Sequence, residues 1–356
     1  MYILLAILLL AILITVHEFG HFLAARSMKI EVREFAVGMG PKLVGWKSRK
    51  HDTDFSIRAI PLGGFCAFYG EDDTKGISKD DPRAFPKQNV WKRLFVILMG
   101  PMMNFVLAFV LATVFFWVNG VSTVTGVDPY IAEVMAAGPA YSAGIRAGDI
   151  VTEINGENML DGTTDTLLNR IGSWKEGDAP LRVTVRRGGE TFETEMTPFW
   201  DEAENKMRIG VTVGGRYRLE TEPETFFGGF QHSWEWCTKA SGAILGALKD
   251  LVTTGKGLDQ TSGPVGIVSL VSTEVEEGGL SAFVQLLVVI SINLGLMNLL
   301  PIPGLDGSRL VFGIVELLRG KPVPPEKEAM IHLVGMVFLF GLMIFFTFKD
   351  ITRLFG

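Results

Sequence analysis

Apolar residues in this chain gather into four long blocks, at 2–25, 94–118, 280–300 and 329–348. Each reaches the roughly 20 residues that an α-helix needs to cross a bilayer, so the pattern predicts four transmembrane helices. The first block lacks a basic leader and a small-residue cleavage site, and reads as a retained span rather than a removable signal. Between the second and third blocks the period shortens. Residues 126–200 alternate short strand-like runs with turn residues, which predicts a β-rich domain inserted between helices two and three. The segment 225–254 is amphipathic or weakly apolar. Its Phe230, Trp234 and Trp236 suit either a helix at the membrane interface or ordinary packing against the bundle.

One phrase within the insert is specific. "AGPAYSAGIRAGDIVTEING" sets Gly138-Pro139-Ala140 before a short helix, Gly144 near its end and Gly148-Asp149 at a turn. The strand that follows places Ile150, Thr152 and Ile154 on one face and Val151, Glu153 and Asn155 on the other. Asn155-Gly156 is a hairpin signal. This run resembles a PDZ domain of the bacterial protease-associated kind, in one copy. The resemblance implies a strand edge and a groove that take an extended peptide ligand.

Composition narrows the class. The chain is 48% hydrophobic and 20% charged, with a mean hydropathy of +0.31, which excludes a disordered chain and argues against a soluble one. Cys66 and Cys237 are too few for a disulfide framework. A net charge of −6 excludes the basic profile of a nucleic-acid binder. Charge also sets orientation. Residues 26–93 carry 14 Lys/Arg against 9 Asp/Glu, whereas 120–279 carry 13 against 24. Arg26, Lys29, Arg33, Lys92 and Arg93 flank the first two blocks, and no Lys or Arg lies in 120–135 or 265–279. The positive-inside rule then puts 26–93 in the cytoplasm, and the insert and both ends of the chain outside. Lys349 and Arg353 oppose this more weakly.

The chemistry sits inside the first block. His17-Glu18-Phe19-Gly20-His21 is an HExxH motif, whose two histidines share one helix face and can reach one metal ion. Glu18 lies beside them, placed to take a proton from an attacking water, as in zinc hydrolases. Two histidines and a glutamate in a membrane-embedded helix cost several kcal/mol unless paired or ligated, which makes them functional candidates. A catalytic zinc takes a third protein ligand. His51 and His232 fall in the connecting segments, and His332 in the fourth block is a reserve candidate. Asp306, in "NLLPIPGLDGSRL", is the better one: the charge-derived topology puts it at the depth of His17 and His21, and Pro301 and Pro303 break the helix there. Asp306 would equally serve as an N-cap for a helix starting near Gly307.

Taken together, the motifs resemble the site-2 protease family of intramembrane zinc metalloproteases, in particular the type of the bacterial sigma-E regulator protease. HEFGH, "NLLPIPGLDG", "GPMMNF" (100–105), the place of the insert and "IRAIPLGGFCAFYGE" (57–71) carry the resemblance, over essentially the whole chain. It implies a polytopic α-helical membrane protein with four transmembrane helices, a membrane-reentrant β segment and one PDZ-like domain. The expected layout is 1–119 (helices one and two with HExxH and the reentrant region), 120–200 (PDZ-like), 201–279 (linker and interface helix) and 280–356 (helices three and four with the LDG motif). It implies Zn2+ held by His17, His21 and Asp306, Glu18 as general base, and Asn298 near the scissile peptide. Asn298 and Asn104 have a second reading, as hydrogen-bonding residues between helices. Gly63, Gly64 and Phe65 form the candidate strand edge that pairs with an unwound substrate segment. The implied partners are transmembrane substrates, anti-sigma factors or signal-peptide remnants, cleaved near the cytoplasmic side of the bacterial inner membrane. A non-catalytic membrane PDZ scaffold is the alternative function. The type often carries two tandem PDZ domains, and only one signature is present here.

Overall fold

The structure, a computed structural model, describes residues 2–49, 52–71, 81–160, 164–202, 204–257 and 261–355; His51 lies outside them. It divides into two compact units, Met1–Asn119 with Glu224–Gly356, and Gly120–Pro223.

The first unit begins with α1 (Tyr2–Ser27), which is apolar on all sides. A long strand pair follows, β1 (Val32–Lys47) and β2 (Asp54–Phe68), and then α2 (Val90–Asn119). Residues 34–37 of β1 register with 54–57 and also with 64–67 of β2, so the two long strands bend into a four-segment sheet. Residues 64–67 register only with β1, which leaves them on an edge. Helices α1 and α2 pack closely because Gly20 has no side chain: a Cβ there would lie 2.2 Å from the Met99 carbonyl oxygen.

The insert is β-rich. Its elements are β3 (Val121–Val134), α3 (Pro139–Ser142), β4 (Ile150–Ile154), β5 (Glu157–Asn158), α4 (Thr164–Gly172), β6 (Leu181–Arg187), β7 (Glu190–Met196), β8 (Phe199–Asp201), β9 (Lys206–Arg208) and β10 (Val211–Glu222). The main sheet runs β10-β3-β4-β6-β7. Ile131, Val151, Ile154, Leu167, Val183 and Val185 form its core. Asn155 and Gly156 both have positive φ (52° and 80°), as the expected hairpin requires. The expected alternation along β4 does not hold. Val151 and Ile154 are both buried, because the register slips between Val151 and Glu153 and a bulge turns the strand. The unit also runs past residue 200, where the sequence reading ended it. β10 pairs with β3 from Val211 opposite Val134 to Glu222 opposite Val121, so residues read as linker belong to the sheet.

The first unit then resumes with α5 (Phe226–Thr254), α6 (Pro264–Leu299), α7 (Asp306–Arg319) and α8 (Pro325–Phe355). The Thr225 hydroxyl caps α5 by accepting the Gly228 N–H at 3.0 Å, and Gly255 ends it in a left-handed turn. Packing against the bundle holds for two of its three aromatic residues. Phe230 packs against Phe109 and Trp117, and Trp236 against Phe115 and Phe116, while Trp234 is exposed. Helix α6 starts well before the third apolar block and kinks at Gly279 (φ 60°). Among the described residues, four helices are long and apolar enough to cross a membrane, Ile3–Ser27, Val90–Asn119, Pro264–Leu299 and Glu326–Arg353. The core between them joins Leu9 and Leu13 to Val271, Phe283 and Leu287.

Candidate metal centre

Two elements supply the acidic and basic groups. α1 carries His17 and His21 one turn apart, and Asp306 is the first residue of α7. The chain leaves α6 at Leu300 because Pro301 and Pro303 have no N–H to continue the ladder. It turns through Gly304 (φ 99°) and re-enters a helix at once. Gly307 permits this: a Cβ there would lie 2.1 Å from the Leu300 carbonyl oxygen. Asp306 is not the N-cap of α7. Leu305 holds that position without a side-chain cap, so the carboxylate is free to face α1.

Its Oδ2 lies 2.9 Å from His17 Nε2 and 3.3 Å from His21 Nε2. The two imidazoles meet edge to face, their Nε2 atoms 3.3 Å apart. Both histidines are buried. Asp306 Oδ2 is buried without a hydrogen bond of acceptable geometry. Among the described residues, His17, His21 and Asp306 form a group whose ligand atoms all lie within 4.8 Å of one another. Two imidazole nitrogens and one carboxylate oxygen converging on a buried point match the donor set of a catalytic zinc.

Helix α2 orients the rings. His21 Nδ1 lies 2.9 Å from the Val96 carbonyl, so Nδ1 carries the proton and donates it, and the Nε2 lone pair faces Asp306. Pro101 interrupts the ladder of α2 one turn further on, and Gly100 leaves room for the ring: a Cβ there would sit 2.3 Å from His21 Nε2. Fully buried Asn104 lies beside His17, with its amide nitrogen 3.4 Å from Nδ1 and its Oδ1 unpartnered. Turned over, the same amide accepts a hydrogen bond from Nδ1–H, which leaves the Nε2 lone pair for a metal. Asn104 also serves helix packing, since its carbonyl accepts from the Ser291 hydroxyl at 2.8 Å.

His17, Glu18, Asn104, Asn298 and Asp306 line one cavity of about 230 Å³. The β2 edge closes in on Glu18. A Cβ on Gly64 would lie 3.4 Å from Glu18 Cγ. Gly63 has φ 113°, and the Phe65 ring lies under the Arg58 guanidinium at 4.8 Å. His332, the reserve ligand, is not in the group; its Nδ1 instead accepts the Gly304 N–H at 3.1 Å. Sequence reasoning missed the Val96 carbonyl, because a backbone group carries no sequence signal. It flagged "GPMMNF" without the roles of Gly100 and Asn104, which only the proximity of α1 reveals.

Comparison with known proteins gives the family of the chain. A relative in Agrobacterium fabrum, named as a candidate zinc metalloprotease, is 33% identical, covering 98% of this chain and 95% of the relative. The regulator of sigma-W protease RasP of Bacillus subtilis is 32% identical, covering 98% of each chain. The insert is similar to the PDZ domain of an SdrC-like protein from Listeria monocytogenes, with 25% identity, 26% of this chain and 90% of that one covered, and a TM-score of 0.22. The model of peptidase family M50 matches residues 5–342, and the chain belongs to that family.

Proposed function

We propose that His17, His21 and Asp306 hold the zinc ion of an intramembrane endopeptidase in which Glu18 is the general base. The observation that carries this is the convergence of the three ligand atoms within 4.8 Å, with Glu18 on the same cavity. When bound, zinc lowers the pKa of water and polarises the scissile carbonyl. Glu18 takes the proton from the attacking water and passes it to the leaving amine. Asn298 offers an amide N–H to the carbonyl oxygen as charge develops there. A substrate helix hides its peptide bonds in its own hydrogen bonds and must unwind first. The edge at 64–67, with Gly63, Gly64 and Phe65, pairs with the unwound segment and holds it extended beside Glu18. Gly64 suits this role because no side chain separates the edge from the base.

The same reading makes the β1–β2 sheet a membrane-reentrant element. Its exposed Met39, Leu43, Val44 and Trp46 support that, since such residues belong against lipid rather than water. The charge pattern supports an insert outside the membrane and cleavage near the cytoplasmic face. The insert functions as a PDZ-like peptide receptor. The edge strand β10 borders a groove of about 230 Å³ against Leu168 and Ile171 of α4, the shape an added peptide strand needs. By analogy with the sigma-W regulator, the substrates are membrane-anchored regulators of the anti-sigma kind, or signal-peptide remnants.

Purified full-length protein tests the site. Zinc stoichiometry near one per chain is expected, lost in His17→Ala and Asp306→Ala. Glu18→Gln is expected to keep its zinc and lose cleavage of a transmembrane peptide by at least about 100-fold. Zinc-free wild type with intact peptide binding in the insert would favour the non-catalytic scaffold instead.

A further inference from the structure

We propose that His332 is a positioning residue, whose neutral imidazole holds the turn that presents Asp306. The turn from Leu300 to Leu305 has few bonds of its own. Pro301 and Pro303 supply no N–H. The N–H of Ile302 donates to the Leu300 carbonyl at 2.7 Å and that of Leu305 to the Ile302 carbonyl at 3.1 Å. The Gly304 N–H instead leaves the turn and donates to His332 Nδ1 at 3.1 Å. An acceptor at Nδ1 requires a lone pair there, so the proton sits on Nε2.

The rest of α8 grips the same turn. A Cβ on Gly335 would lie 2.2 Å from the Pro303 carbonyl oxygen, and one on Gly304 would lie 3.4 Å from Met336 Cγ and 3.3 Å from Leu339 Cδ1. His332, Gly335, Met336 and Leu339 follow at spacings of three, four and seven, which is one face of a helix. Over its most apolar window α8 is nearly bare, with 6% buried, and Asp350 near its end is buried against α6. Phe312 of α7 meets the imidazole edge-on at 5.6 Å between ring centres and fixes its plane. Asp306 lies two residues beyond Gly304, so an error in the turn passes directly to the carboxylate. A residue bonded to the support of a ligand typically changes metal affinity by about 10–100-fold when removed.

The inference rests on the proposed metal centre, and the test separates the two. In the full-length protein, His332→Leu removes the acceptor, and His332→Asn keeps an oxygen near the place of Nδ1. Zinc affinity is measured by chelator competition, and amide hydrogen exchange across 300–306 is measured on zinc-free protein. His332→Leu is expected to lose zinc affinity by about tenfold or more and to speed exchange in the turn by a similar factor. His332→Asn is expected to stay within about threefold of wild type in both. Equal losses in the two variants, unchanged zinc affinity in His332→Leu, or an unchanged exchange rate would each overturn the proposal. If wild type binds no zinc, the metal-centre reading fails, and the exchange of the zinc-free turn still decides whether His332 holds it.

Discussion

One absent methyl group gives His21 its place. The ring lies where a Cβ on residue 100 would be, and its Nδ1–H is committed to the Val96 carbonyl, so the ring cannot swing aside without breaking that bond. Gly100→Ala is therefore expected to displace the ring, weaken zinc binding by at least about tenfold and cost about 1–3 kcal/mol of stability. Chelator competition and thermal unfolding measure both effects, and wild-type zinc affinity in the variant would refute the argument. Legibility at this scale followed distance along the chain. His17, Glu18 and His21 fall within five residues and share a helical face, so the sequence shows them together. Asp306 was reached through its proline-broken context. The Val96 carbonyl was out of reach, because it is a main-chain group brought in by tertiary packing.

Between elements, the tie linking α8 to α6 stands out. Asp350, buried near the end of α8, accepts the Gly266 N–H at 2.7 Å in the first turn of α6. A carboxylate suits those unpaired amides and the positive end of the helix dipole. Gly263 and Gly266 make space for it, since a Cβ on either would lie 2.9 Å from an Asp350 oxygen. Asp350→Ala is expected to lower stability by about 1–2 kcal/mol, with Asp350→Asn in between. Unchanged thermal unfolding of Asp350→Ala would show that the contact contributes nothing. The four apolar blocks located the candidate spanning helices but not their ends. Glu274, Glu276 and Glu277 depress hydropathy just where α6 continues as helix, and the kink at Gly279 lies beside them. The insert, read as ending at 200, extends further for a different reason: β10 finds its partner β3 about 90 residues earlier, and no local pattern reports such a pairing.

For the molecule as a whole, acid acts on the insert's polar core. Asp149 is fully buried. Burial alone would raise its carboxyl, but the Arg187 guanidinium, at 2.6 and 2.7 Å, and the Arg146 N–H, at 2.8 Å, outweigh it and hold the group below the usual carboxylate range. A depressed folded-state pKa means that the stabilisation is complete above the unfolded value near pH 4 and fades as pH falls through the folded value. Hydrogen exchange across the insert of the full-length protein should accelerate in that acid range. Asp149→Asn is expected to remove much of this pH dependence and to cost about 1.5–3 kcal/mol at neutral pH. A variant with wild-type exchange at neutral pH would count against this role. The β3–β10 pairing has a consequence for how such chains change over time. Val121 and Glu222 are cross-strand partners, so the chain departs and returns about 4.8 Å apart. A hairpin-sized loop could close that gap, which makes 120–223 an interchangeable cassette. Recombination at this one address can swap, double or delete the β-rich unit while the peptidase keeps its reading frame and its order of helices.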